Sequence, residues 1–269
     1  MTDHPLLKEL VKKVQTNQKY KTITSDLVTR LSEKALAKGL SGKAAVKDVR
    51  NKLHQIGGAY FKQKVDYSQS QKNLRQTQKD LQSDQLRQYC IKLMGLHYST
   101  AERLPIIESF FKNCMAPIAP VKSVLDLACG MNPMAIPWMP LQPNFTYHAC
   151  DIYMDMLDLV QTFFDHLEID GSTAACDLIG EVPAENAQLA FLLKSIPCLE
   201  QVDKEIGLML LEGIHADHIL VSFPVRSLSG RNKGMPDFYE DHFFDMISGK
   251  PWQIIKFTFQ TELAFLVTK

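Results

Sequence analysis

The hydrophobic residues of the first 58 positions recur at intervals of three and four, the spacing of one face of a helix. They form three groups, which are Leu6, Leu7, Leu10, Val11 and Val14, then Leu27, Val28, Leu31 and Ala35, then Val46, Val49, Leu53 and Ile56. Glycines such as Gly39, Gly57 and Gly58 are typical of helix ends. The pattern therefore predicts three amphipathic helices.

The segment 66–88 is rich in Gln, Ser and Lys and contains few apolar residues. A helix there would have little surface to bury, so the composition predicts an exposed, charged connector. Apolar residues at helical spacing return at Tyr89 and Leu93. Ser99 and Glu102 have the spacing of a capping box, which predicts that a helix begins there.

After Pro120, short apolar runs alternate with helical patterns. The predicted strands are 124–128, 146–150, 189–193 and 218–223, and the helix candidates between them are 154–167 and 202–214. Two β-rich runs, 252–259 and 262–268, follow without a helix between them and predict an antiparallel hairpin. This alternation is typical of an α/β fold, a parallel sheet with helices on both faces. We expect a helical domain over 1–97 and an α/β domain over 98–269.

The chain has 30 basic and 30 acidic residues, but the two kinds are unevenly distributed. Residues 1–100 contain 19 Lys and Arg and 8 Asp and Glu, a net charge of +11, which leaves −11 for the remainder. Lys43, Lys47, Arg50 and His54 form one helical stripe of this charge. A basic segment of this kind favours contact with a polyanion. A lysine-rich helical surface that meets only solvent would have the same composition.

Several classes of protein are disfavoured. No apolar run approaches the roughly 20 residues of a membrane helix, and the first residues lack the apolar centre of a signal peptide. The six cysteines are scattered without a C-x-x-C pair, so we expect neither a metal site nor disulfides. A cytoplasmic protein that does not contact a membrane fits these features.

Three acidic residues lie in or directly after predicted strands. Asp126 precedes the turn at Gly130, Asp151 ends the next strand, and Asp177 closes a third apolar run. Ligands of open α/β sheets bind beyond the carboxyl ends of the strands, where a carboxylate can accept ribose hydroxyls or an adenine amino group. Asp126 and Gly130 are also compatible with a turn that has no ligand.

The turn at Gly130 does not have the glycine pattern of a dinucleotide site. One glycine is followed by Asn132 and Pro133, whereas pyrophosphate binding requires G-x-G-x-x-G. S-adenosylmethionine carries no phosphate and needs only one close glycine. Asp126 or a backbone carbonyl can meet the amino group of its methionine part, and an arginine can meet the carboxylate. The motif therefore favours this cofactor.

Seven ordered segments carry a specific resemblance. They are Lys-Tyr-Lys at 19–21, Lys-Leu-His-Gln-Ile-Gly-Gly-Ala-Tyr at 52–60, Ser-Thr-Ala-Glu-Arg at 99–103, Leu-Asp-Leu-Ala-Cys-Gly-Met-Asn-Pro at 125–133, Lys-Ser-Ile-Pro-Cys-Leu at 194–199, the loop 222–235, and Thr-Glu-Leu at 261–263. Over nearly its whole length the chain resembles the aminoglycoside-resistance 16S rRNA (guanine-N7)-methyltransferases. The resemblance implies a Rossmann-like methyltransferase fold, a seven-stranded sheet ending in an antiparallel hairpin, with an N-terminal helical domain.

The resemblance also implies a reaction, which is methyl transfer from S-adenosylmethionine to N7 of guanine 1405 in the assembled 30S subunit. S-adenosylhomocysteine would be the product. The partner would be 16S rRNA within the 30S subunit, and we expect a monomer. By analogy with the family, Arg103 holds the methionine carboxylate and Asp151 takes the ribose, with Ile152 beside it. Gly130 and backbone such as that of Ala128 line the cofactor.

The adenine is assigned by the same resemblance to Asp177 and Leu178. The expected rRNA contacts combine the basic helices with the loop 222–235. They are Lys19, Lys21, Lys43, Lys47, Arg50, Lys52, Tyr60, Arg226, Arg231 and Lys233. The loop is also compatible with a solvated surface, and Tyr60 is equally compatible with a core position at a helix end.

The N7 atom of guanine already carries a lone pair, so no general base is required and positioning can supply the catalysis. We predict that Glu262 accepts N–H groups of the guanine, although a surface glutamate would fit the same pattern. Arg226 and Lys194 are the other catalytic candidates, and Lys194 either faces the pocket or leaves the sheet edge.

Three alternatives are weighed against this function. A methyltransferase of another rRNA or tRNA site would share the cofactor residues. A non-catalytic RNA-binding protein is disfavoured by the intact acidic set, and a nucleotide-dependent oxidoreductase by the missing glycines.

Overall fold

Three packed helices open the computed structural model, which describes residues 5–58, 65–225 and 235–269. They are α1 (Pro5–Gln15), α2 (Ser25–Ala37) and α3 (Gly42–Leu53), and a π-helical turn, His54–Gly58, follows α3. Their predicted apolar faces are confirmed, since Val14, Val28 and Val49 are fully buried. Leu6 is an exception, because 57% of its surface is exposed near the beginning of α1.

A seven-stranded sheet forms the rest of the core and confirms the predicted α/β fold. Its strands are β1 (Val121–Leu127), β2 (Leu141–Asp151), β3 (Asp170–Ala175), β4 (Ala187–Leu193), β5 (Ala216–Pro224), β6 (Gln253–Thr258) and β7 (Glu262–Thr268). The order is β3-β2-β1-β4-β5-β7-β6. Strands β1 to β5 are parallel, and β7 runs antiparallel to both β5 and β6, which confirms the hairpin.

Helices connect the strands and precede the sheet. They are α4 (Tyr67–Leu74), α5 (Asp84–Met94), α6 (Tyr98–Arg103), α7 (Ile107–Met115), α8 (Met154–Leu167), α9 (Ile196–Leu199), α10 (Ile206–Gly213) and α11 (Met235–Met246). The bounds of α8 are those predicted from sequence, whereas α10 is shorter than the predicted helix 202–214. Within the described residues no helix is long and apolar enough to span a membrane.

The segment 66–88 differs from the exposed connector predicted from its composition. It contains α4 and the beginning of α5, and both Leu74 and Leu86 are fully buried. The Asp66 carboxylate accepts the Gln69 backbone N–H and so caps α4. Helix α4 packs against α8, which comes from a distant part of the chain. Because α8 supplies the partner surface, a few apolar residues are sufficient to bury one face of α4.

The predicted capping box at Ser99 is wrong. Helix α6 begins at Tyr98, one residue before the predicted cap, so Ser99 lies within the helix. The Thr100 hydroxyl donates to the Met94 carbonyl oxygen, and the Glu102 carboxylate pairs with Lys194. The Glu102 side chain is thus used in an ion pair across 92 positions and not in a local cap.

The N-terminal helices are joined to the sheet by backbone hydrogen bonds near the end of β2. The Thr24 N–H donates to the Ile152 carbonyl oxygen, and the Met154 N–H donates to the Thr22 carbonyl oxygen, both at 2.9 Å. Ile23 and Tyr153 form an antiparallel bridge between them. The beginning of α2 is thereby held beside the loop that follows β2.

Candidate functional site

A cleft of about 700 Å³, including its open mouth, lies beyond the carboxyl ends of β1 to β4. Strands β1 and β4 are neighbours at the point where the strand order reverses, which is where open α/β sheets bind ligands. The predicted cofactor residues that line the cleft are Ala128, Gly130, Asp151, Ile152, Asp177 and Leu178. The structure thus brings together residues that are up to 50 positions apart.

The turn after β1 approaches the cleft with an unusual backbone. Ala128 and Gly130 both have φ of 51°, in the left-handed region that L side chains rarely adopt. A Cβ at Gly130 would also lie 3.2 Å from the ring of His97. The left-handed conformation favours glycine at position 130, and a side chain there would also press against His97.

The Asp151 carboxylate organises the loops around this turn. Its Oδ2 accepts the Gly130 N–H at 2.9 Å, and its Oδ1 accepts the N–H groups of Ile152 and Tyr153 at 2.7 and 3.3 Å. Burial raises the pKa of Asp151, and these three backbone hydrogen bonds oppose that rise. One acceptor position remains on Oδ2, which suits a ligand hydroxyl.

Asp177 occupies the corresponding place after β3, and only 4% of its side chain is exposed. Its Oδ1 accepts the Ile179 N–H, and its Oδ2 accepts the Nε–H of Arg30 from α2 at 2.6 Å. Each oxygen retains one acceptor position. The arrangement can therefore receive a ligand amino group while it remains paired with Arg30.

A buried ionic cluster lies beside the cleft and centres on Glu262, which has no exposed surface. Its Oε1 accepts from Arg103 at 2.7 Å and from the Ser222 hydroxyl, and its Oε2 accepts from Arg103 at 3.1 Å. The Lys194 ammonium lies 3.3 Å from Oε2. Burial alone would raise the pKa of Glu262, but the two cations and these hydrogen bonds hold it below its usual value.

Contact between Glu262 and a guanine stays a prediction. Because four donors already surround the two carboxylate oxygens, a base could reach Glu262 only by displacing one of them. The geometry favours a different role, in which the carboxylate holds Arg103 and Lys194 in place.

Lys194 follows β4 directly, has φ of 59° and lines the cleft. Of the two orientations considered from sequence, it adopts the one that faces the pocket. Its ammonium donates to the Ser99 carbonyl oxygen at 3.2 Å and to the Glu102 carboxylate at 3.0 Å, besides its contact with Glu262. The side chain thus connects the end of β4 to α6 and β7.

Arg103 and Asp126 lie behind the cleft, outside the set of described residues that line it. The Arg103 guanidinium donates to the Asn132 side-chain oxygen at 2.8 Å, and the Asn132 amide donates to Asp126 at 2.9 Å. The Tyr147 hydroxyl also donates to Asp126 at 2.6 Å. Burial raises the pKa of Asp126 to about 7. Direct cofactor contact by either residue stays a prediction.

His97 is a cleft residue that sequence analysis missed. Burial lowers its pKa to about 4, and the charges of Lys194 and Arg103 act in the same direction. Its imidazole is therefore neutral near pH 7. No motif marks it, since its position against Gly130 arises only when the residue before α6 packs against the turn after β1.

Arg30 and the apolar wall of the cleft were missed as well. Leu27, Ile56 and Gly57 line the cleft although all three belong to the N-terminal helical region. The sequence pattern placed Leu27 only in the apolar face of a predicted helix. Arg30 lies one helical turn after it and was not singled out. Helical periodicity could have placed these two on one face, but not against Asp177.

The predicted rRNA-binding residues fall into three groups. Lys19, Lys21, Lys43 and Lys47 are exposed. Two others are half-buried and bound to backbone, since Arg50 donates to the Lys13 carbonyl oxygen at 2.8 Å and Lys52 to that of Gln201 at 2.9 Å. The remaining positions, Tyr60, Arg226, Arg231 and Lys233, lie outside the described residues.

Comparison with known proteins shows the family to which the chain belongs. The family model described as "Ribosomal RNA methyltransferase (FmrO)" matches residues 16–266. A 16S rRNA (guanine(1405)-N(7))-methyltransferase of Frankia casuarinae is 30% identical, over 95% of this chain and 91% of its own length. One of Micromonospora rosea is 28% identical, over 97% and 96%.

Among solved structures, the 16S rRNA methyltransferase RmtF in complex with S-adenosyl-L-homocysteine matches with a TM-score of 0.83 and 28% identity, over 100% of both chains. All three comparisons agree with the resemblance carried by the sequence motifs, namely the match to the family model, the two relatives and the likeness to RmtF. The chain belongs to the ribosomal RNA methyltransferase (FmrO) family.

Proposed function

We propose that this protein transfers a methyl group from S-adenosylmethionine to N7 of guanine 1405 of 16S rRNA in the assembled 30S subunit. Support for the nucleotide comes from the relatives of Frankia casuarinae and Micromonospora rosea, whose names specify it. The observation that carries the proposal is the cleft, in which the strand-end residues Gly130, Asp151 and Asp177 converge. Such methylation would confer aminoglycoside resistance.

The chemistry of the cleft suits S-adenosylmethionine. Asp151 has a remaining acceptor for a ribose hydroxyl, and Asp177 has acceptors for the adenine amino group. The turn at Gly130 lacks the glycine pattern that the pyrophosphate of a dinucleotide requires. Gly130 lines the same cleft and lets the cofactor approach its backbone closely. When bound, the cofactor supplies an electrophilic methyl group on a sulfonium.

The residues of this chain act chiefly by positioning. Guanine N7 presents its own lone pair, so no side chain needs to remove a proton, and alignment with the methyl group supplies the catalysis. His97 lines the cleft as a neutral imidazole, so it adds no positive charge there. Glu262 and Lys194 fix α6, β4 and β7 around the cleft and hold the Arg103 guanidinium, which we assign to the methionine carboxylate.

Docking to the rRNA is assigned to the basic N-terminal helices. Lys21, Lys43 and Lys47 are exposed, and the described residues give their ammonium groups no hydrogen-bond or ionic partner. Flexible exposed lysines of this kind neutralise phosphates and release counterions. Action on the assembled subunit as a monomer, in the cytoplasm, completes the proposal.

The decisive experiment is methyl transfer from labelled cofactor to purified 30S subunits, with primer extension after cleavage at 7-methylguanine. We expect one stop at guanine 1405 in subunits and little product in protein-free 16S rRNA. Asp151→Ala is expected to weaken the stop strongly, and Asp158→Ala, which changes an exposed aspartate of α8, should retain it. A stop at another nucleotide would contradict the target, and product on free rRNA would contradict the requirement for the assembled subunit.

A further inference from the structure

An ion pair links the N-terminal helical region to the cofactor cleft. Arg30 of α2 donates from Nε to the Oδ2 of Asp177 at 2.6 Å, across 147 positions of sequence. The Asp177 side chain is 4% exposed and that of Arg30 is 39% exposed. The carboxylate thus lies within the protein, while the guanidinium covers it from the solvent side.

The turn after β3 leaves space for this guanidinium. A Cβ added at Gly180 would lie 1.9 Å from an Nη atom of Arg30 and 2.5 Å from its Cζ. The Gly180 N–H donates to the Asp177 carbonyl oxygen at 2.8 Å, so the glycine belongs to the same turn as the carboxylate. The absence of a side chain at position 180 therefore permits the ion pair.

Helix α2 is a rigid support for Arg30. Leu27, one turn earlier on the same helix, lines the cleft together with Asp177 and Leu178. The backbone hydrogen bonds of Thr22 and Thr24 to the loop after β2 hold the beginning of α2 against the sheet. A side chain on a helix that is anchored in this way can fix the orientation of its partner.

We propose that Arg30 is a positioning residue, which orients the Asp177 carboxylate to select the adenine base of the cofactor. The inference rests on the assignment of adenine to Asp177 in the proposed function. Arg30 and the Ile179 N–H each occupy one oxygen, which restricts rotation of the carboxylate and directs its remaining acceptors. The N-terminal helices then take part in cofactor selection.

Base selection provides a readout that general destabilisation would not change. S-adenosylhomocysteine carries an amino group that donates to a carboxylate, whereas S-inosylhomocysteine carries a carbonyl oxygen that a carboxylate repels. Calorimetry with both compounds gives the preference for adenine as a ratio of affinities. Asp177→Asn is expected to abolish this preference, because an amide can donate to the carbonyl as well as accept from the amino group.

We expect Arg30→Ala to weaken S-adenosylhomocysteine binding by about fivefold and to leave S-inosylhomocysteine binding unchanged, a size that suits a partly exposed ion pair. Arg30→Lys should recover part of the loss. Gly180→Ala displaces the guanidinium without removing its charge and should reproduce the loss. The double variant Arg30→Ala with Gly180→Ala should bind S-adenosylhomocysteine no more weakly than Arg30→Ala alone, since both changes break the same ion pair. Lys34→Ala, an exposed change on the same helix, is the matched control.

Equal loss for both compounds would overturn the proposal, because Arg30 would then only complete the wall of the cleft. Unchanged affinity for both in Arg30→Ala would overturn it too. An unchanged preference in Asp177→Asn would remove the adenine assignment together with this inference. The methylation target is not affected by any of these outcomes, since primer extension tests it separately.

Discussion

Charged side chains serve opposite purposes in the N-terminal helices and at the carboxyl edge of the sheet. Lys21, Lys43 and Lys47 point into solvent, where an ammonium costs little free energy and remains available to an external partner. Arg103 and Lys194 are 1% and 3% exposed and share the carboxylate of Glu262. Buried charges must be paired to be tolerated.

The difference separates two kinds of electrostatic function. For the exposed lysines of the helices, charge is a property of the surface, so each of them contributes a small and similar amount. At the sheet edge, each charge has specific partners, so the loss of one leaves another desolvated. The net charge of +11 over residues 1–100 therefore summarises the surface to which these lysines belong. At the edge of the sheet a net charge says little, because it does not show which charges are paired.

The largest expected effect comes from Glu262→Ala. This change leaves Arg103 and Lys194 buried with less compensation and should lower the free energy of unfolding by about 3–5 kcal/mol. Urea denaturation measures the loss. Glu185→Ala, which removes an exposed glutamate, should stay within about 0.5 kcal/mol of the parent. Equal stability of the two variants would show that the buried cluster does not differ from a surface pair.

A smaller effect is expected from Asp151→Ala. The substitution removes an acceptor for three backbone N–H groups and for the proposed ribose hydroxyl. We expect binding of S-adenosylhomocysteine to weaken by roughly 10- to 100-fold in calorimetry. Asp158→Ala on the surface of α8 should bind normally. Normal binding by Asp151→Ala would remove the ribose assignment.

Charge reversal on the basic helices tests the other side of the comparison. Lys43→Glu with Lys47→Glu should weaken 30S binding and lower the slope of log affinity against log salt by about 0.9 for each phosphate that is no longer neutralised. Stability should change little, since both side chains are exposed. Lys112→Glu with Lys122→Glu, exposed positions near the sheet, supplies the control. An equal change of slope in both pairs would indicate that only total charge matters.

The smallest expected effect is a change in how the free energy of unfolding depends on pH. Because burial raises the pKa of Asp126 to about 7, the folded state binds more protons than the unfolded state from pH about 4 to 7, and this contribution falls as pH rises. His97, with a pKa lowered to about 4, contributes the opposite trend below pH about 6.5. Asp126→Asn should therefore make stability rise more steeply over this range.

Urea midpoints from pH 4.5 to 7.5 measure this slope, and Asp158→Asn, an exposed substitution, should keep the parental profile. A parallel shift of the whole Asp126→Asn profile, without a change of slope, would contradict the raised pKa.

Much of the fold follows from short-range patterns. The predicted helix 154–167 has its predicted bounds, the four predicted strands lie within β1, β2, β4 and β5, except that the first extends one residue beyond β1, and the terminal hairpin is present. Periodicity of apolar residues is a local property, so it can be recognised without the fold. The glycine turn and the strand-end aspartates could also be recognised from sequence, because their candidate roles depend only on their position relative to a predicted strand.

The sequence by itself determined the α/β class, the basic N-terminal helices, the candidate cofactor residues Asp151 and Asp177, and a resemblance that the comparisons confirm. Only the tertiary structure decided that Arg30 pairs with Asp177, that Glu262 pairs with Arg103, and that His97 lies against Gly130. The first two pairs span 147 and 159 positions. Such contacts depend on how helices and strands pack together, and local propensity and spacing carry no information about them.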